Sequence, residues 1–298
     1  MQPASPITPS RFALGEGILW DDQLNVLWWT NIHAAELWQF NPATQTERCW
    51  PLPQRLGCFA LTQTPGVLLM GLEQGLAKFD STSGEVTHLT PVEPEFPHTR
   101  VNDGRCDRAG NFVFGTINEG GPEAIGGYYR YTPAGELQRL DLPGCAIANS
   151  ICFSPDGGTM YFADSPTKKI LACDYDTASG KTGNVRLFVD VAAHTPVAPP
   201  DPDGSIVDAD GFLWNAEWGG HRVVRYAPNG EIDREIKLSA SQATCLTFAG
   251  QTLDTLYITT ARVSLSTAQL AEETTAGAVF HVATVGTHGL PEVRFGGF

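Results

Sequence analysis

Asp208-Ala209-Asp210-Gly211-Phe212-Leu213-Trp214-Asn215-Ala216-Glu217-Trp218 reads as a tight turn running into a short strand. Asp and Gly supply the turn, and the alternation through Gly211-Phe212-Leu213-Trp214 lets one face of the strand pack on a neighbouring sheet. The same unit recurs in both directions along the chain. It reads WDDQLNVLWWTN at 20–31, TPGVLLMGL at 64–72, RAGNFVFGTIN at 108–118, SPDGGTMYFADS at 154–165 and QTLDTLYITT at 251–260. Partner strands follow, such as AELWQFNP (35–42), GLAKFDSTSG (75–84), GGYYRYTPAG (126–135), KILACDYD (169–176), RVVRYAPNG (222–230) and GAVFHV (277–282). With Trp28, Leu69, Phe114, Tyr161, Trp214 and Tyr257 as anchors, the mean spacing is about 46 residues, inside the ~40–50 residues of one propeller blade.

Six four-stranded units use up the chain, which predicts an all-β, six-bladed β-propeller forming one domain over residues 1–298. A lone antiparallel sheet of this size cannot bury both faces. Six closed into a ring can, and they leave a central channel. A β-sandwich or a two-domain β protein would leave the six in-phase repeats without a purpose. The stretch 277–298 is expected to pair with the N-terminal strand and close the ring. SLSTAQLAEETT (264–275) is the one expected short helix, and HTPVAPPDPD (194–203) a proline-rich loop over one mouth.

Composition agrees: 31 Gly, 21 Pro and only 17% charged residues among 298 suit a turn-rich β protein. A net charge of −14, from 33 acidic against 19 basic residues, disfavours nucleic acid, anionic membranes and polyanionic substrates. A neutral small molecule or a cation fits better. The opening MQPASPITPSRF has no basic stretch leading into an apolar core, so no secretory signal is expected. No run of about 18 apolar residues suggests a membrane span. Seven cysteines without a Cys-x-x-Cys pair point to free thiols in a reducing compartment, hence the cytoplasm. A monomer or weak homodimer is expected.

Counting back eleven or twelve residues from the anchors reaches Glu16, Cys58, Asn102, Asn149, Asp203 and Cys245. Equivalent positions of different blades are related by rotation about the axis, so these six should ring the channel. Two carboxylates and two carboxamides converging there make an oxygen-rich site for one divalent ion such as Ca²⁺, Zn²⁺, Mn²⁺, Mg²⁺ or Fe²⁺. Each residue alone reads as an ordinary turn residue. Four in one register, with no lysine to neutralise the acids, need a cation or a proton. Cys58 and Cys245 are expected to line the channel as small apolar groups. Trp218, at the end of a strand leading to the loop side, is expected to wall the pocket, whereas His33, His98 and His221 read as surface or loop residues.

The same residues carry a family signature. Leu14-Gly15-Glu16-Gly17-Ile18-Leu19-Trp20, Arg100-Val101-Asn102-Asp103-Gly104, Ala148-Asn149-Ser150 with Ser154-Pro155-Asp156-Gly157, and Pro202-Asp203-Gly204 with the 208–214 turn resemble the regucalcin/gluconolactonase (senescence-marker-protein) family. Trp218-Gly219-Gly220 is similar to its bacterial sugar lactonases. The resemblance runs from about Leu14 to Arg262. It implies that Glu16, Asn149 and Asp203 bind the metal and that Arg100 and Asn102 hold the lactone. Glu119, beside Asn118 after the Gly-Thr-Ile stretch, is implied as a substrate contact. Ser150 stands where Asn-Gly is common, an exchange expected to narrow the pocket, and Val101 replaces the usual proline.

A lactone is a cyclic ester whose carbonyl becomes an oxyanion when water attacks, which a metal with open positions and a nearby guanidinium can stabilise. The resemblance makes Asp203 the candidate base; a metal-bound water as nucleophile stays open beside it. No Gly-x-Ser-x-Gly elbow supports a serine nucleophile. The leading expectation is therefore metal-dependent hydrolysis of a neutral sugar (aldono-) lactone to the open-chain acid. Another metal-dependent esterase, such as an aryl-ester or organophosphate hydrolase, is the alternative within enzymes, and a non-catalytic calcium-binding propeller the alternative outside them.

Overall fold

The computed structural model describes residues 3–195, 197–283 and 285–298. Its strands form six four-stranded antiparallel sheets, and each predicted anchor lies in the second strand of one of them. The innermost strands are Gly15–Asp21, Leu56–Leu61, Thr99–Cys106, Ala148–Phe153, Asp201–Val207 and Ala243–Ala249. Each packs on the next, and the first packs on the last, so the sheets are blades of a closed ring. In the sixth blade the outer strand is Ser5–Pro6, whose Ser5 pairs with His281 and Pro6 with Phe280. The N-terminal strand thus closes the ring, but of the stretch expected to pair with it only Phe280 and His281 do so.

The strand pattern dictates this packing. Trp28 and Trp29 are consecutive, so they leave opposite faces of one blade. Trp28 joins Phe59, Leu68 and Met70 of the second blade, while Trp29 joins Val279 of the sixth. Every apolar cluster is likewise shared between adjacent blades. No blade can bury its faces alone.

Beyond Val282 the chain does more than complete a blade. Residues 285–298 cross the end of the channel: Gly289 N donates to Leu253 O, Arg294 pairs with Asp21 at 2.7 Å, Phe295 N donates to Leu61 O and Gly296 N to Gly110 O. Arg105, on an inner strand, pairs with Glu292 of this segment at 3.1 Å. The cavity left there is about 30 Å³, room for one water. Substrate-sized access is left to the opposite mouth.

The predicted helix is present as Thr267–Glu272, started by a capping box of Ser266 and Gln269. A one-turn helix that the sequence reading did not anticipate, Val191–His194, starts where the Asp190 side chain accepts from Ala192 N and Ala193 N. The expected loop 194–203 is shorter, because Asp201, Pro202 and Asp203 already belong to an inner strand; its Pro196 lies outside the described residues. Among the described residues no helix is long and apolar enough to cross a membrane.

Candidate active site

Every inner strand carries a bulge of one extra residue near its start, between Glu16 and Leu19, Leu56 and Cys58, Val101 and Gly104, Asn149 and Cys152, Pro202 and Ser205, and Ala243 and Leu246. A bulge kinks the strand and re-aims side chains. Here it does so six times around one axis. Glu16, Asn102, Asn149 and Asp203 all line a cavity of about 300 Å³ at the open mouth, at the small end of small-molecule sites.

Their registers differ from the predicted ring in one respect. Trp28, Tyr161 and Trp214 pair with Leu19, Cys152 and Ile206, and three residues back from each partner stand Glu16, Asn149 and Asp203. Phe114, Leu69 and Tyr257 pair with Gly104, Ala60 and Thr247, and the same step reaches Val101, Gly57 and Thr244. Asn102, Cys58 and Cys245 therefore sit one residue further along, because hairpin lengths vary between blades. Glu16, Asn149 and Asp203 thus share one register, and Asn102 stands outside it. Cys58 and Cys245 are buried, and burial holds both thiols well above their ordinary range, as protonated groups.

The two acids confront each other. Burial, then the neighbouring Asp103, pushes Glu16 up to about 8, although Gly17 N donates to its Oε2 at 3.1 Å. Asp203 is raised by burial and by the charge of Glu16. Its main chain is pinned: Ser150 Oγ donates to Asp203 O at 2.6 Å and Asn215 Nδ2 at 3.0 Å. Asn149 Nδ2 donates to Ser165 Oγ at 2.9 Å, and Asn102 Nδ2 approaches Asn149 Oδ1 at 3.3 Å. Two buried carboxylates without a cationic side chain between them, beside carboxamide oxygens, could hold a hard divalent ion. Among the described residues no three His, Cys, Asp or Glu side chains cluster as a metal site; this set depends on Asn149.

Arg100, almost fully buried, organises the adjoining wall. It donates to Glu119 Oε1 at 2.9 Å and to Asn102 Oδ1 at 3.0 Å. Arg55 grips the same carboxylate at 2.9 and 2.7 Å. Against the upward push of partial burial, these two guanidinium groups hold Glu119 down to about 2. Trp218 lines the cavity as expected. Asn118 does not: its amide donates to Glu123 O and accepts from Gly120 N, which fixes the following loop.

Several residues here escaped the sequence reading. His33 lines the cavity instead of standing apart from it, and burial, Arg100 and Arg55 press its pKa down, so it is neutral near pH 7. Ser165 and Asp201 line it too. His33 and Ser165 arrive on short 3-10 turns, Ile32–Ala34 and Ser165–Thr167, that end the second strands of blades one and four. Asp201 had a usable signal: it stands two residues before Asp203 in a strand, on the same face.

Residues 14–262 match the SMP-30/Gluconolactonase/LRE-like region. The chain belongs to the SMP-30/gluconolactonase family. It is 48% identical over 296 residues to an L-arabinolactonase of Azospirillum brasilense, covering 99% of this chain and 96% of the relative. A 6-deoxy-6-sulfogluconolactonase of Pseudomonas putida is 32% identical, with 95% of each chain covered. The solved structure of a calcium-binding regucalcin from Agrobacterium tumefaciens superposes with a TM-score of 0.91 at 28% identity, over 98% of both chains.

One departure from the family motif finds its reason here. Ser150 has φ of +60°, the left-handed region that glycine occupies most readily. It does not narrow the cavity, since its side chain is buried and donates to Asp203 O. The serine exchanges conformational ease for a hydrogen bond to the strand that carries Asp203.

Proposed function

We propose that the protein is a carboxylic-ester hydrolase that opens a neutral sugar lactone, using one divalent ion held by Glu16, Asn149 and Asp203. The observation that carries this reading is the facing pair Glu16 and Asp203, both raised by burial, Glu16 also by the charge of Asp103 and Asp203 also by that of Glu16, beside a polar wall fit to hold hydroxyls. When bound, the ion would supply Lewis acidity to the lactone carbonyl. Arg100 and Glu119, as a near-neutral pair, donate to and accept from substrate hydroxyls, and Asn102 adds an amide. Asp203 takes a proton from the attacking water, its backbone held still by Ser150 and Asn215. Trp218 covers an apolar face of the sugar ring. The lactonase relatives support this chemistry, and seven free cysteines support a reducing compartment such as the cytoplasm. We take the chain as one domain acting as a monomer or weak homodimer.

The test is a panel of pentono- and hexono-lactones followed by proton release, on protein freed of metal and then restored with Ca²⁺, Zn²⁺, Mn²⁺ or Mg²⁺. Turnover lost on metal removal and regained on restoration is expected. Full turnover by protein shown to be metal-free by elemental analysis would overturn the metal assignment, and tight metal binding without turnover of any lactone would favour a binding propeller.

A further inference from the structure

We propose that Asp201, held by Lys168, is a specificity-determining residue that binds the hydroxyl on the exocyclic carbon of the lactone, at the end remote from the carbonyl. The inference rests on the lactonase reading above. Asp201 lines the same cavity as Asp203 but stands nearer its mouth: its side chain is 33% exposed, whereas Asp203 is 6% exposed. Lys168 reaches it from the preceding blade, with Nζ 2.5 Å from Oδ1. Among the described residues, Asp201 Oδ2 has no hydrogen-bond partner.

The pair is not needed to hold the turn that carries Lys168. Ser165 already docks that turn, donating from Oγ to Pro202 O at 2.7 Å while accepting from Asn149 at 2.9 Å. An ion pair this exposed contributes little to stability. What it does supply is an acceptor and a donor side by side at almost no net charge, the complement of a hydroxyl, which both gives and takes a hydrogen bond. Arg100 and Glu119 make the matching pair on the third blade, where the Glu119 side chain is 35% exposed. With the carbonyl at the buried Glu16, Asn149 and Asp203, the exocyclic carbon on the far side of the lactone ring would be directed toward the more exposed part of the cavity, which Asp201 and Glu119 line.

The experiment is a substrate–variant cycle at saturating metal, with a pentono-1,4-lactone and its 5-deoxy counterpart as probes. Wild type should prefer the hydroxylated lactone. D201A should lose about 10- to 100-fold in kcat/KM on that lactone, mostly through KM, and stay within about twofold of wild type on the deoxy one. K168M should show a smaller loss with the same selectivity, and metal affinity of D201A by titration should stay within a few-fold of wild type, since Asp201 acts on Asp203 only through its charge. Equal losses on both lactones, or none on either, would overturn the proposal while leaving the lactonase reading standing. A wild-type protein that hydrolyses neither these probes nor any lactone of the wider panel would remove that reading and this subsite with it.

Discussion

Metal-free protein should lose stability as pH rises from about 5 to 8, and Glu16 is the main reason. Burial in the channel and the charge of Asp103 raise its carboxyl from 4.5 to about 8. In the unfolded chain the group ionises near 4.5, so between these values the folded state keeps a proton that the unfolded state has released. Stability therefore falls with increasing pH through this window. The displacement corresponds to on the order of 5 kcal/mol once Glu16 is ionised in the folded state, a large fraction of an ordinary folding free energy. Asp203 adds in the same direction. Glu16→Gln retains an oxygen to accept from Gly17 N and removes the charge. Chelated Glu16→Gln should thus match wild type near pH 4.5 and exceed it by a few kcal/mol at pH 8. Divalent metal should narrow that gap, since an ion at a hundred times its Kd adds about 2.7 kcal/mol to wild type and less to the variant. Urea unfolding followed by tryptophan fluorescence at both pH values measures all of this. Equal pH slopes for the two chelated proteins, or a less stable variant at pH 8, would refute the reasoning.

Arg100→Ala should leave metal affinity within about threefold by titration and lose activity that added metal does not restore; a rise in KM marks hydroxyl binding and a fall in kcat marks oxyanion stabilisation. Ser150→Ala keeps the left-handed backbone but removes the bond to Asp203 O, and should cost about 1–2 kcal/mol in urea unfolding. Ser150→Gly relieves the backbone by roughly 1 kcal/mol, so it should be the milder change of the two; an equal or greater loss for glycine would contradict that account. Cys58→Ser and Cys245→Ser should change kcat by less than about tenfold, because neither thiol faces the cavity; a hundredfold drop, about 2.7 kcal/mol, would place a thiol in the chemistry.

The propeller was legible because its information is periodic: a turn, an alternating strand and an anchor repeat six times, and any blade alone would leave a face such as that of Trp28 or Trp29 exposed. The site was legible only as far as counting holds. Counting from the anchors found Glu16, Asn149 and Asp203, whose hairpins differ by at most one residue. It also admitted Asn102, Cys58 and Cys245, because neither hairpin length nor the inner-strand bulge leaves a mark in residue type. Residues brought in by docking between blades were harder still. Lys168 lies three residues past Ser165 in an unremarkable Pro-Thr-Lys-Lys run, and its meeting with Asp201 depends on how a turn of blade four rests against a strand of blade five. Strand periodicity could have singled out Asp201 from Asp203, but the partner that positions it exists only once the ring has closed. In a propeller the ligands of the axis are written along the inner strands, whereas the residues that grade one substrate from another come from turns between blades, where sequence distance carries no geometric meaning.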